Sequence, residues 1–220
     1  MAIGGVIFDL DGTLLDTLKD IADPANETLR AHGYPEHPID AYRTFVGDGV
    51  RVLMERVLPA TERAPETIDA MVEAMRGRYR EYLHRSTQPY PGIPELINGL
   101  AQAGLRLATL SNKLDDLTKD CIAHYFPDAP FHPVIGQSDA FPKKPDPTAA
   151  LSIAQGWSLR PDHVAFVGDT STDMQTATGA GMRPLGVAWG FRTREELQEY
   201  GAEAVVDHAD GALQVLLSWR

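Results

Sequence analysis

Val6-Ile7-Phe8-Asp9-Leu10-Asp11-Gly12-Thr13-Leu14 is the stretch that decides the fold. An apolar run from Ala2 to Phe8 carries β-branched Val and Ile, stops at two acids one residue apart, and is followed by a glycine turn. A run of that length and composition, closed by Gly, reads as a buried strand. Two carboxylates at the carboxyl end of such a strand are costly to desolvate without a compensating cation. Taken alone, the pair has two readings. One is a capping Asp followed by a turn Asp; the other is a paired-carboxylate metal and reaction centre. The rest of the chain decides between them.

Composition sets the bounds. The chain has 220 residues, 43% hydrophobic and 23% charged, an ordinary globular composition in which roughly 70% of the unfolded surface is buried on folding. A single cysteine, Cys121, rules out an internal disulfide and fits a reducing compartment. The first residues lack a basic segment leading into a signal peptide, and no stretch approaches the length of a membrane span. A cytoplasmic protein, monomeric or homodimeric, is expected. The formal net charge of −11 argues against nucleic acid and anionic membrane as partners. An anionic substrate would therefore need a metal, or a local cluster of Lys and Arg, to reverse the field at the site.

Beyond Leu14 the pattern is helical. A helix is predicted from Leu18 to about His32, closed by Gly33, with Pro35 and Pro38 in the loop that follows. Another runs from Val50 to Leu58 and stops at Pro59. A third, from Pro65 to about His84, carries Ile68, Met71, Val72, Met75, Tyr79, Tyr82 and Leu83 at helical spacing, which reads as a core stripe. An insert of about 70 residues without a strand signal is too long for a loop in a compact domain. It is read as a helical cap, residues 17–88, set into a core of residues 1–16 and 89–220.

From Gln88-Pro89-Tyr90-Pro91-Gly92 onward, helices and strands alternate. Strands are predicted at Leu105 to Leu110, near Val134-Ile135, at Val164 to Val167, at Pro184 to Ala188 and at Ala204 to Val206. The fold class is therefore α/β, a Rossmann-like parallel sheet with helices on both faces, plus a small all-α cap inserted after the first strand. Sites in such sheets lie at the carboxyl ends of the strands. The first strand ends in Asp9 and Asp11, and the second in Ser111-Asn112-Lys113. Lys143-Lys144-Pro145-Asp146-Pro147 follows the third, and Gly168-Asp169-Thr170-Ser171-Thr172-Asp173 ends the fourth. Each has a bland reading as turn, cap or solvated surface, and one of the four polar residues from Asp169 to Thr172 should cap the next helix. Together, carboxylates from two strands, a hydroxyl and a lysine are the parts needed for phosphoryl chemistry. Magnesium favours oxygen ligands, one or two of them carboxylates. Asp9 and Asp169 can supply these, with the Asp11 carbonyl in reach, and the metal with Lys144 would neutralise the phosphoryl oxygens.

Phe8 to Leu14, Thr109-Leu110-Ser111-Asn112-Lys113, Lys144-Pro145-Asp146-Pro147 and Gly168 to Asp173 resemble, in order, the four motifs of the haloacid dehalogenase-like hydrolase superfamily. The insert resembles the small α-helical cap of the branch holding phosphoglycolate phosphatase and β-phosphoglucomutase. Leu15-Asp16-Thr17 and Phe45-Val46-Gly47-Asp48-Gly49-Val50-Arg51 look most like phosphoglycolate phosphatase. The resemblance implies Mg²⁺ as cofactor, with Asp9, Asp11 and Asp169 as metal residues and Asp173 as a partner behind them or through water. It also implies Asp9 as the nucleophile forming an aspartyl-phosphate, Asp11 as general acid then base, Ser111 as a phosphoryl hydrogen-bond donor and Lys144 as the lysine directly before Pro-x-Pro. Lys143 is then a bystander. Thr13 and Asn112 are expected near the substrate. Arg51 is a candidate for a substrate carboxylate, since Arg suits bidentate recognition. Ser111 stands where many phosphoglycolate phosphatases have Thr, which preserves the hydroxyl.

The expected activity is hydrolysis of a small phosphorylated metabolite, 2-phosphoglycolate foremost. Alternatives on the same core are a β-phosphoglucomutase-like phosphomutase and a pyrophosphatase. A phospho-accepting signalling module is the rival of a different class, and Asp11 and the cap argue against it. Halide release from a haloacid needs no leaving-group acid, so Asp11 and Asp169 argue against that too. Gly47-Asp48-Gly49 lacks the preceding strand that a dinucleotide loop requires. The seven histidines show no zinc spacing.

Overall fold

The computed structural model describes residues 2–220, which fall into two compact units. One comprises the residues up to Leu15 together with Pro89–Arg220; the other is Asp16–Gln88.

In chain order, β1 is Gly5–Phe8 and β2 is Leu15–Asp16. The helices α1 (Leu18–Ala31), α2 (Tyr42–Phe45), α3 (Val50–Val57) and α4 (Pro65–Tyr82) follow, then β3 (Gln88–Pro89). The chain continues through α5 (Ile93–Gln102), β4 (Arg106–Leu114), α6 (Asp115–Tyr125), β5 (Phe131–Gln137) and α7 (Thr148–Gly156). It ends with β6 (Val164–Gly168), α8 (Ser171–Ala180), β7 (Arg183–Val187), α9 (Arg194–Glu199), β8 (Ala204–Val206) and α10 (Ala209–Ser218).

The larger unit is built on a six-stranded sheet of order β5-β4-β1-β6-β7-β8, with every neighbouring pair parallel. Helices cover both faces, so the expected parallel α/β core is what the chain forms. β1 lies at the centre because its four residues are wholly apolar or small and all are buried. Alternation along the strands divides the core. Ile7, Ala108, Leu110, Val164 and Phe166 share one face, where Ala149, Ala150, Ile153 and Ala154 of α7 and Ala177 and Ala180 of α8 pack on them. On the other face Phe8 meets Phe131 edge-on.

β4 departs from the sequence expectation. The apolar pattern predicts an end at Leu110, yet the strand runs on to Leu114. Ser111, Asn112 and Lys113 are polar but buried, and their partners in the core take the place of apolar packing. Smaller differences lie at element ends, where β1 begins only at Gly5 and β5 extends from Phe131 to Gln137.

The Asp16–Gln88 unit is helical. The first part of the α4 stripe, Ile68, Met71, Val72 and Met75, is buried and forms core with Tyr42 and Met54. α1 continues through Pro24, whose carbonyl accepts from the Thr28 hydroxyl at 2.7 Å. The buried Asp20 carboxylate accepts from the backbone of Ser86 and Thr87 and from the Thr87 hydroxyl, tying the last residues of the unit to its first helix. α2 has too few residues to show periodicity and was not legible in the sequence.

Candidate active site

β1 and β6 are sheet neighbours, with Phe8 opposite Val167. The Asp9 amide continues the ladder by donating to the Val167 carbonyl at 2.9 Å. Asp9 and Asp169 therefore leave adjacent strand ends on the same edge. A third acid, Asp173, comes from the first turn of α8, and ligand atoms of all three lie within 4.8 Å of one another. Lys144 enters from the loop before α7, 3% exposed, and its Nζ donates to Asp9 Oδ1 and to Asp173 Oδ1 at 2.7 Å each. Lys143 is exposed.

The electrostatics follow from burial. Desolvation, then the charge of Asp173, pushes the Asp9 carboxyl up to about 7, with Lys144 opposing. Burial would push the Lys144 ammonium down, but the charges of Asp173 and Asp9 overcome it and hold its pKa above the ordinary value. Asp169 is raised well above the ordinary carboxylate range by burial and by the charges of Asp173 and Asp9.

Asp169 is fully buried, yet its hydrogen-bond donors are neutral: the Thr13 hydroxyl on Oδ1 at 3.0 Å and the Phe191 amide on Oδ2 at 2.7 Å. Two glycines make room for it. A Cβ on Gly12, whose φ is +87°, would lie 2.2 Å from Asp169 Oδ2, and one on Gly190 would lie 2.3 Å from Asp169 Cβ. The Trp189 indole N–H closes the same corner by donating to the Thr13 carbonyl at 3.0 Å.

Asp173 closes a capping box at α8. Its Oδ2 accepts from the backbone amide of Thr170 at 3.1 Å and from the Thr170 hydroxyl at 2.7 Å, while Oδ1 accepts from Lys144. One carboxylate thus fixes a helix start and the lysine. The capping residue expected between Asp169 and Thr172 is Thr170.

On β4, Ser111 is 4% exposed, and its Oγ accepts from the Lys113 amide at 3.3 Å. Asn112 grips the backbone of Lys144, accepting from its amide at 2.9 Å and donating to its carbonyl at 3.0 Å. Lys113 donates to Asp11 Oδ1 at 2.9 Å.

The core unit therefore brings together Asp9, Asp11, Thr13, Ser111, Asn112, Lys144, Asp169 and Asp173. The Thr13 hydroxyl donates to Asp169 and the Asn112 side chain bonds the backbone of Lys144, so these two buried residues also position the acid and the lysine. Arg51 lies on α3 of the other unit, half exposed and ion-paired with Asp69. Sequence reasoning missed the parts played by Lys113 and by Trp189-Gly190-Phe191. The loop contributes backbone groups and one indole, which leave no motif. Lys113 was visible only as a polar residue after a strand.

A family model for haloacid dehalogenase-like hydrolases matches residues 6–187. The chain belongs to that family. Among curated relatives, a phosphoglycolate phosphatase of Aquifex aeolicus is 35% identical over 84% of this chain and 85% of its own length. One of Mesorhizobium japonicum is 33% identical over 98% and 95%. A solved structure from Lactobacillus delbrueckii subsp. bulgaricus, assigned by inference as a phosphoglycolate phosphatase, superposes with a TM-score of 0.93 at 26% identity, covering 98% of this chain and 99% of that one. A haloacid dehalogenase-like hydrolase from Streptococcus pneumoniae shares the fold, with a TM-score of 0.87 at 24% identity and 99% coverage of both chains.

Within this hydrolase, Asp9, Asp169 and Asp173 form a buried group able to hold a metal ion. The donor set fits a hard cation: all the candidate ligand atoms are carboxylate oxygens, and three acids face one ammonium. Lys144 contacts Asp9 and Asp173 but not Asp169, so one ammonium leaves this group of three acids short of positive charge. No helix is long and apolar enough to cross a membrane among the described residues.

Proposed function

We propose that this hydrolase is a magnesium-dependent phosphatase that cleaves a small phosphorylated metabolite, 2-phosphoglycolate, through an aspartyl-phosphate. The observation that carries the reading is the buried cluster of Asp9, Asp169 and Asp173 around Lys144 at adjacent strand ends. The substrate is suggested by relatives of 29–35% identity that act as phosphoglycolate phosphatases.

In this reading an Asp9 carboxylate oxygen attacks phosphorus as the ester P–O bond breaks, and Asp11 gives its proton to the departing alkoxide. Asp11 then takes a proton from water, whose oxygen attacks phosphorus and releases inorganic phosphate, restoring Asp9. Lys144 and the Ser111 hydroxyl hold the phosphoryl oxygens, and Asp173 holds Lys144. Asp9 and Asp169 would bind Mg²⁺, with the Asp11 carbonyl completing the protein's share. When bound, it supplies positive charge where the transition state holds negative charge. Arg51 would read the substrate carboxylate after giving up Asp69, an exchange that costs little because both partners are half exposed.

A phosphate-release panel over 2-phosphoglycolate, sugar phosphates, nucleotides and pyrophosphate, with magnesium and with EDTA, tests this. Hydrolysis of 2-phosphoglycolate foremost, abolished by EDTA, is the expected result. Activity that survives EDTA would remove the metal from the mechanism, and preference for another ester would remove the substrate.

A further inference from the structure

We propose that Lys113 is the positioning residue for Asp11, and that it fits this site to phosphate esters whose alcohols are poor leaving groups. The inference deepens the phosphatase reading and rests on it.

The ion pair is buried. Lys113 Nζ lies 2.9 Å from Asp11 Oδ1, with the two side chains 4% and 14% exposed. A lysine buried that far needs a reason. Neutralising the metal-binding acids does not supply it, because Lys144 already contacts Asp9 and Asp173. Lys113 meets the acid that Lys144 leaves alone.

The ammonium also starts from a fixed base. The Lys113 carbonyl accepts from the Thr118 hydroxyl at 3.2 Å, and its amide donates to Ser111 Oγ at 3.3 Å. Gly136 packs so closely that a Cβ there would lie 2.7 Å from the Lys113 carbonyl oxygen. Asp11 itself sits on the turn that follows β1, where its side chain would rotate without a partner.

An ammonium only donates hydrogen bonds. Its contact commits Oδ1 to accepting and so holds the carboxylate in one orientation. Lys113 thus fixes the rotamer in which Asp11 meets the leaving group. Proton delivery matters when the leaving group is an alkoxide and matters little when it is a stabilised phenolate. Lys113 acts through Asp11.

The test compares kcat/KM for 2-phosphoglycolate and p-nitrophenyl phosphate in wild type, Lys113→Met, Lys113→Arg, Asp11→Asn and the Lys113→Met/Asp11→Asn double variant. The ratio of the two esters within one preparation is independent of how much protein is folded. Lys113→Met should lose roughly 100-fold on the alkyl ester and about tenfold or less on the aryl ester. Lys113→Arg should recover part of the ratio. In the Asp11→Asn background, Lys113→Met should change aryl-ester hydrolysis by less than about twofold, the signature of action through one partner. Equal losses on both esters, or an undiminished effect without the Asp11 carboxylate, would overturn the inference while leaving the phosphatase reading intact. A wild type that hydrolyses neither ester would overturn both.

Discussion

Asp9, Asp169 and Asp173 are the same residue type within a few ångströms of one another, and their neighbours give them different work. Asp173 has both oxygens committed inside the protein, one to Lys144 and one to Thr170. Asp169 accepts from two neutral donors, the Thr13 hydroxyl and the Phe191 amide, and its buried charge is costly without a cation. Asp9 shares Lys144 and stands at the strand end, 7% exposed, as the proposed nucleophile. Asp9→Asn keeps the size of the side chain and removes one buried charge, so it should fold. Turnover of any substrate the wild type accepts should fall at least about 10³-fold, with an unchanged far-UV spectrum. Near-normal turnover would exclude Asp9 as the nucleophile.

At the scale of elements, the site depends on how strands and helices end. β4 carries its backbone pairing past its apolar stretch, which places Ser111 and Asn112 on a rigid strand instead of a loop. α8 starts in a capping box whose acid also holds Lys144. Thr170→Val would remove the hydroxyl from that box while keeping the side-chain shape. The expected loss is about 1 kcal/mol, read from the midpoint of urea unfolding. Because Asp173 would lose a donor, activity should fall as well. A variant of unchanged stability would show that the Thr170 hydroxyl contributes nothing to the start of α8.

For the molecule as a whole, the buried acids make stability depend on pH and on metal. Asp9 has an ordinary value of 3.8 and is pushed up to about 7 in the metal-free protein, and Asp169 moves in the same direction. Well below 3.8, Asp9 is protonated both folded and unfolded and contributes nothing. Between 3.8 and about 7 the folded chain keeps a proton that the unfolded chain has lost, and above that window the buried charge carries its full cost. The contribution of these groups to metal-free stability therefore falls as pH rises through the window. Magnesium competes with those protons and binds the folded chain, so it should raise Tm more near pH ~8 than near pH ~5. Thermal unfolding at both pH values, with magnesium and with EDTA, measures this; an equal shift at both would disconnect metal binding from the buried acids.

What the sequence determined by itself was local or ordered along the chain. Short apolar runs closed by turn residues marked the parallel core, helical spacing marked most helices, and four polar clusters in order at strand ends named Asp9, Asp11, Ser111, Lys144, Asp169 and Asp173 as candidates. It could not name Lys113 as the partner of Asp11, separated from it by 102 positions, or the Phe191 amide and Trp189 indole, 22 and 176 positions from their partners. Nor could it show that the Thr13 hydroxyl bonds Asp169 and that Asn112 bonds the backbone of Lys144. The physical reason is that residue type records what a side chain can do, while burial decides which neighbour it must satisfy. A hydroxyl or an amide taken out of water has to find its partner wherever the fold has placed one.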